Sequence, residues 1–119
     1  MKDLKLFDAE YKLMDIIWEL EPINSTELTR ICQNKLGWKK STTYTMIRKL
    51  SNRGILQNKN ATVTALVKRD QVRKYESETL LEEKFEGSLP VFLATFLQGR
   101  KLSKSEAQEL QKMIEEATK

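Results

Sequence analysis

The sequence predicts a mainly α-helical protein in which three helices and a β-hairpin are followed by a helical tail. Three observations predict this. Apolar residues recur at three- and four-residue spacings over most of the chain, the pattern becomes β-branched between residues 55 and 67, and the helical spacing returns after residue 69. We therefore expect two domains, comprising residues 1–68 and 69–119.

The composition excludes several classes of protein. The chain has 119 residues with one Cys and no His, so an intrachain disulfide is impossible and the usual zinc, haem and Ser-His or Cys-His sites lack their parts. No apolar run approaches the roughly 20 residues of a membrane span, and the N-terminus lacks the apolar stretch of a signal peptide. We expect a soluble, cytoplasmic protein that is not an enzyme and uses no metal or cofactor.

The first helix is expected from Asp8 to Leu20, with Asp8 as its N-cap. Pro22 ends it, because proline restricts the residue before it to extended backbone. The residues predicted to face the core are Leu13, Met14, Ile16, Ile17 and Leu20.

The second helix is expected between Asn24 and Asn34. Asn24 and Glu27 have the spacing of a capping pair. Its inward residues are predicted to be Leu28, Ile31 and Cys32, so we interpret Cys32 as a small core residue and not as a redox sensor.

The third helix is expected over residues 41–52, and Gly54 follows it at the position where a left-handed backbone favours glycine. At 100° per residue, one quadrant faces the core and contains Thr43, Met46, Ile47 and Leu50. The opposite face is polar and basic, and it consists of Ser41, Thr45, Arg48 and Asn52, flanked by Tyr44 and Lys49.

A two-stranded hairpin is expected next, with strands at residues 55–57 and 62–67 and a turn at residues 58–61. Three helices followed by a hairpin is the element order of a winged helix. The second and third helices, joined through Gly37 and Trp38, have the arrangement of a helix-turn-helix.

Three further helices are predicted in the tail. The first runs from residue 69 to 86 before Gly87, the second from 89 to 97 before Gly99, and the third begins at the capping box formed by Ser103 and Glu106. The middle helix is apolar around most of its circumference, which favours burial against a second copy of the chain over an ordinary monomer core. The residues predicted to form the dimer contact are Leu80, Leu81, Phe85, Leu89, Phe92, Leu93, Phe96, Leu97, Leu110 and Ile114.

Charge is distributed unevenly along the chain. Residues 28–69 contain ten basic residues and no acidic one, whereas residues 1–27 carry a net charge of −4 and residues 70–119 a net charge of −2. A basic run is often only a solvated face. A segment without any acid repels itself, however, and this favours a polyanionic partner.

The predicted partner is double-stranded DNA, with the third helix in the major groove. Short polar residues near the helix start let the backbone approach the bases, and lysines near the turn and wing reach phosphates. The candidate DNA-binding residues are Lys39, Lys40, Ser41, Thr42, Tyr44, Thr45, Arg48, Lys49, Lys59 and Asn60, with Arg53 as a further phosphate contact. Trp18 and Trp38 are interpreted as core or capping residues.

A longer pattern resembles the penicillinase-repressor family of bacterial transcription regulators, the BlaI/MecI/CopY type. The residues that carry it are Glu10-x-x-x-Met14-x-x-x-Trp18 and Trp38-x-x-x-Thr42-x-x-Thr45-Met46-x-x-x-Leu50-x-x-x-Gly54-Ile55-Leu56, continuing through 65–67, 85–88 and 102–110. The resemblance implies an N-terminal winged-helix domain, a C-terminal helical dimerisation domain, and a homodimer that represses by occupying a palindromic operator. It also implies a regulatory protease or another signal-transmitting protein as a partner.

The sequence departs from the family pattern at three places. No Cys follows position 32, where copper-responsive members carry a Cys-rich metal hook. Thr95 precedes Phe96 where β-lactam-responsive members have the Asn of their cleavage site. Thr43 replaces an aliphatic residue on the inner face of the third helix, which is expected to loosen packing slightly.

Two other functions remain open at this point. A winged helix can serve as a protein-interaction module that acts through its helical tail without reading DNA, since fold alone does not fix function. RNA binding is disfavoured because the aromatic residues are predicted to face inward instead of forming a stacking surface.

Overall fold

The computed structural model describes residues 3–119, which form helices and three short strands. In chain order the elements are α1 (Asp8–Leu20), β1 (Ile23–Asn24), α2 (Ser25–Leu36), α3 (Lys40–Asn52), β2 (Leu56–Lys59), β3 (Thr62–Ala65), α4 (Arg69–Lys84), α5 (Leu89–Leu97) and α6 (Lys104–Ala117). The described chain forms two compact units, one ending at residue 79 and one comprising residues 80–119. The fold is mainly helical, as predicted.

Helix α1 has the predicted bounds, but its cap differs from the prediction. Asp8 is the first helical residue and not the N-cap, a position taken by Phe7. The Phe7 N–H donates to Glu10 Oε1 at 2.9 Å, and among the described residues no side chain caps the N–H groups of the first turn. Leu20 was also wrongly expected inside. It is 40% exposed because it occupies the last helical position, after which Glu21 adopts extended backbone.

Helix α2 begins at the predicted cap. Asn24 Oδ1 accepts from the N–H groups of Thr26 at 2.8 Å and Glu27 at 3.4 Å. The Glu27 carboxylate binds Arg30 on the helix surface. The helix continues two residues beyond the predicted Asn34 and ends at Gly37, whose φ of 69° is left-handed.

Helix α3 begins one residue earlier than predicted, at Lys40, and ends before Gly54, which has the expected left-handed φ of 73°. Its inner face is the predicted one: Thr43, Ile47 and Leu50 are buried, and Met46 is half-buried against the core. Packing of this quadrant leaves the opposite side of α3 in solvent.

Strands β2 and β3 form the predicted hairpin, with Leu56 opposite Ala65 and Lys59 opposite Thr62. The turn is shorter than expected and consists of Asn60 and Ala61, both with positive φ, which suits a two-residue hairpin loop. Strand β1, which the sequence did not predict, pairs with β3 to give the sheet order β1-β3-β2. Two residues are too few to show strand alternation.

The core of the first unit collects one face of every element from α1 to the start of α4. Val72 of α4 is fully buried in it, which is why the compact unit extends past residue 68, where the sequence places the end of the first domain. Trp18 and Trp38 are half-buried against this core, and Trp18 Nε1 donates to the Val67 carbonyl at 2.9 Å. Both tryptophans therefore have structural contacts, as predicted.

Two buried polar side chains face each other between α2 and α3. Thr43 is fully buried, and within the described residues its hydroxyl makes no hydrogen bond of ordinary geometry. The Cys32 thiol lies beside it. Burial raises the pKa of the Cys32 thiol, and the Thr43 hydroxyl opposes part of that rise. Sulfur is a weak hydrogen-bond partner, so the Thr43 hydroxyl is poorly compensated.

Replacing Thr43→Val is therefore expected to raise the free energy of unfolding by about 1 kcal/mol, since it removes a buried hydroxyl and keeps the branched shape. Urea denaturation of the full chain measures this change. Thr45→Val is the control on the same helix, because Thr45 is exposed, and it is expected to change stability by less than about 0.5 kcal/mol. A lower free energy of unfolding in Thr43→Val would contradict the conclusion that the buried Thr43 hydroxyl is poorly compensated.

The second unit contains the C-terminal part of α4 with α5 and α6. Helix α4 ends at Lys84, two residues before the predicted Glu86. Ser88 and Ser103 cap α5 and α6 by accepting from Val91 and Glu106 N–H groups, each at 3.1 Å. Neither α5 nor α6 contains a buried residue. No helix in the described part of the chain is long and apolar enough to cross a membrane.

Candidate nucleic-acid interface

The outer face of α3 presents the residues that the sequence assigned to DNA. Packing of the inner face against the core fixes the rotation of the helix. The residues of α3 that were predicted to contact DNA and are exposed are Lys40, Ser41, Thr42, Thr45, Arg48 and Lys49. The short hydroxyl side chains of Ser41, Thr42 and Thr45 lie between two groups of long cations, Lys40 at the start of the helix and Arg48 and Lys49 further along it. This face therefore combines short side chains, which let the helix backbone come close to a ligand, with positive charge.

The N-terminus of α3 is open to an anion. Lys39 occupies the N-cap position and provides no side-chain hydrogen bond, and the first turn contains no acidic residue. The first backbone N–H groups of a helix carry partial positive charge and lack partners inside the helix. Lys39 and Lys40, both exposed, add full charges at this end.

Ion pairs distinguish three of the ten cations of residues 28–69 from the other seven. Three arginines are paired with acids from the flanking parts of the chain: Arg30 with Glu27, Arg53 with Glu10, and Arg69 with Asp15. Within the described residues, no carboxylate pairs with the cations around α3 and the hairpin, which are Lys39, Lys40, Arg48, Lys49 and Lys59. Lys35 and Lys68 also have no ion pair among the described residues, so five of the seven uncompensated cations lie around α3 and the hairpin.

Tyr44 joins α3 to the start of α2. The hydroxyls of Ser25 and Thr26 lower the pKa of Tyr44, and Lys40 nearby adds to the effect. The Lys40 ammonium lies 6.0 Å from the centre of the Tyr44 ring. Tyr44 is half-buried, so it both braces the helix pair and lines the predicted DNA face.

A groove runs between α3 and strand β2. It is lined by Tyr44, Ile47, Arg48, Ser51 and Asn58. The predicted wing residues Lys59 and Asn60 follow Asn58 and are exposed at the hairpin tip. Ser51 and Asn58 are two polar groove residues that sequence reasoning missed, because their proximity depends on how the hairpin packs against α3.

Arg53 has partners inside the fold that the sequence did not predict. It was expected to contact phosphate, but its Nη1 lies 3.4 Å from both carboxylate oxygens of Glu10. Its Nη2 donates to the backbone carbonyls of Asp3 at 3.3 Å and Lys5 at 2.5 Å. Arg53 therefore ties the N-terminal residues to the end of α3, and its charge is compensated inside the fold.

The apolar residues predicted to form the dimer contact lie in the second unit and at its start, and none is buried. Exposed or half-buried in the single chain are Leu80, Leu81, Phe85, Leu89, Phe92, Leu93, Phe96, Leu97, Leu110 and Ile114. Phe92 packs edge-on to Phe85 and stacks on Phe96, with ring centres 5.1 and 5.7 Å apart. Val91 and Met113 are also exposed apolar side chains, although they were not among the residues predicted to form the dimer contact.

No group of three or more acidic, Cys or His side chains suited to a metal ion occurs within residues 3–119. The cations of α3 and the wing and the apolar residues of the second unit are the two surfaces of interest.

The fold and the basic face define a winged-helix DNA-binding protein. The family model described as penicillinase repressor matches residues 6–116. The chain therefore belongs to the penicillinase repressor family of transcriptional regulators, as the sequence resemblance implied.

Individual relatives are distant but nearly full-length. The penicillinase repressor of Bacillus licheniformis is 28% identical over 116 residues, covering 94% of this chain and 91% of the relative. The methicillin resistance regulatory protein MecI of Staphylococcus aureus (strain N315) is 22% identical over 117 residues, covering 95% of each. The solution structure of monomeric Bacillus licheniformis BlaI, in complex with the blaP half-operator, matches with a TM-score of 0.51 and 25% identity. It covers 60% of this chain and 93% of that one.

Proposed function

We propose that this protein is a cytoplasmic, homodimeric transcriptional repressor that occupies a palindromic DNA operator through α3 and the hairpin wing. The observation that carries the proposal is the concentration of unpaired cations on the exposed face of α3 and the wing. Family membership and the operator-bound state of the BlaI structure support the same conclusion.

The proposed DNA-contacting residues of α3, its N-cap and the wing divide into two roles. Ser41, Thr42 and Thr45 are short, so they let the helix approach the base edges, and Arg48 and Lys49 reach guanine edges or phosphates. A second set contacts the DNA backbone and fixes the register of the helix in the groove. This set consists of Lys39, Lys40, Tyr44, Lys59 and Asn60.

The second unit supplies the dimer contact in this proposal. Its helices α5 and α6 contain no buried residue, although they carry large apolar side chains. Phe96 is 47% exposed and Ile114 is 57% exposed. A second copy of the chain would cover these side chains. Two chains related by a two-fold axis present two α3 helices to DNA, and this symmetry requires an operator with inverted half-sites.

The test is selection of bound fragments from random duplex DNA by the full chain. A sequence with inverted symmetry is expected to emerge, because each subunit selects the same half-site. Bound DNA without any common sequence would overturn the reading role of α3 and favour the alternative of a winged helix that only binds proteins. A single half-site without its inverted copy would overturn the dimer.

Variants then test the assignment of individual residues. Thr45→Ala and Lys49→Ala are expected to reduce the preference for the selected duplex over a random one, by about 1–3 kcal/mol where the substituted side chain binds a base edge. Lys59→Ala is expected to weaken both duplexes alike, since it contacts only the backbone. Competition titrations with the two duplexes measure this. Equal losses on both duplexes in all three variants would reject the assignment.

A further inference from the structure

Residues 3–7 form an extended N-terminal arm that precedes α1. Leu4 and Leu6 point inward and pack on the core, with Leu6 only 8% exposed. Lys5 and Phe7 alternate with them and face outward, and Phe7 is 65% exposed. An exposed phenylalanine beside an exposed lysine is a contact surface that the fold itself does not use.

Hydrogen bonds connect the arm to the end of α3 and to α4. Arg53, at the end of α3, donates to the carbonyls of Asp3 and Lys5. The Asp3 carboxylate accepts from the Lys5 N–H at 2.9 Å and from the Tyr75 hydroxyl of α4 at 3.1 Å. These bonds fix the backbone of the arm, so Lys5 and Phe7 are presented at defined positions.

A groove separates the arm from the C-terminal half of α3. It is lined by Asp3, Lys5, Phe7, Glu10, Lys49, Asn52 and Arg53. Both carboxylates are engaged internally, Asp3 as described and Glu10 by Arg53 and the Phe7 N–H. Within residues 3–119, the side chains of Lys5, Lys49 and Asn52 make no hydrogen bond or ion pair, and the Lys5 ammonium lies 5.4 Å from the centre of the Phe7 ring.

We propose that this groove binds the DNA backbone beside the half-site, with Lys5 on a phosphate and Phe7 against a deoxyribose. The inference rests on the proposed function, because Lys49 belongs both to the groove and to the face assigned to DNA. The groove lining contains three cations, Lys5, Lys49 and Arg53, and two carboxylates, Asp3 and Glu10, so its net charge is +1 and suits a phosphodiester. Continuity with α3 favours a polymer over a free anion. The DNA interface then extends from the wing, along α3, to the arm.

The experiment compares Lys5→Gln with Lys12→Gln in the full chain. Lys12 is an exposed lysine of α1 that does not line the groove, so the control removes the same charge elsewhere. Dissociation constants for a random duplex are measured as a function of salt concentration. Lys5→Gln is expected to weaken binding about fivefold to tenfold at about 0.1 M salt and to lower the slope of log K against log salt by about 0.9 per subunit. Lys12→Gln is expected to leave the slope unchanged.

A second measurement does not depend on variants. Lysine acetylation of the wild-type protein, read by mass spectrometry, is expected to show protection of Lys5 by the duplex and none by inorganic phosphate. Equal slopes in the two variants, or a Lys5 that stays reactive on DNA, would overturn the arm as a DNA contact. A wild-type protein that fails to bind duplex DNA would instead overturn the proposed function, so the two failures are distinguishable.

Discussion

Raising the salt concentration from about 50 mM to about 200 mM is expected to weaken duplex binding by about a thousandfold or more, the loss typical of six to ten phosphate contacts. The unpaired cations of α3 and the wing are the reason. One chain presents Lys39, Lys40, Arg48, Lys49 and Lys59, and each cation that neutralises a phosphate releases a counterion. The proposed dimer doubles this number.

Fluorescence anisotropy of a labelled random duplex, titrated at several salt concentrations, measures the slope. The matched variant replaces Lys39, Lys40 and Lys59 with Gln, and its slope is expected to be smaller by about 0.9 for each phosphate that is no longer neutralised. A slope near zero for the wild-type protein would contradict the electrostatic basis of binding, whatever the affinity at a single salt concentration.

Replacing Arg53→Met is expected to lower the free energy of unfolding by about 3 kcal/mol, the low end of the range for breaking a buried ion pair from one side. The Glu10 carboxylate is only 8% exposed, and Arg53, 30% exposed, is its ion-pair partner at 3.4 Å. The substitution also removes the two hydrogen bonds that hold the arm. Urea denaturation followed by circular dichroism measures the loss.

Arg30→Met is the matched control. Arg30 pairs with Glu27 on the surface of α2, where both side chains are about half exposed, and such pairs contribute less than about 1 kcal/mol. Adding Glu10→Gln to Arg53→Met is expected to recover part of the loss, since it removes the unpaired charge. Equal destabilisation by Arg53→Met and Arg30→Met would contradict the structural role of Arg53.

The sequence predicted those parts of the fold that local chemistry determines. The Asn24 cap, the Gly54 stop and the inner quadrant of α3 each depend on residues within one or two helical turns, so periodicity and capping patterns were sufficient. The errors involve partners distant in sequence or competing groups. The Asp8 cap was wrong because α1 begins at Asp8, after Phe7, whose N–H is bound by Glu10, and β1 was missed because it exists only through its pairing with β3.

In the candidate interface too, features that depend on nearby residues were predicted from the sequence, and features that depend on distant partners were not. Exposure along α3 follows from helical geometry once its core face is known, so Ser41, Thr45 and Lys49 could be assigned from sequence. The charge of Arg53 could not, because its acid partner lies 43 positions earlier in the chain. Counting charges by segment located the basic surface but did not reveal which cations are compensated.

The wing tip is bonded to the helix-turn-helix. The Ser25 N–H, in the first turn of α2, donates to the carbonyl of Ala61 in the hairpin turn at 2.8 Å, and β1 pairs with β3 just behind it. A free hairpin would lose backbone entropy on binding DNA, at roughly 1–2 kcal/mol for each residue that becomes ordered. Here that ordering is completed during folding, so in the proposed complex α3 and the wing meet the duplex as one preorganised template, and more of the contact energy remains as affinity.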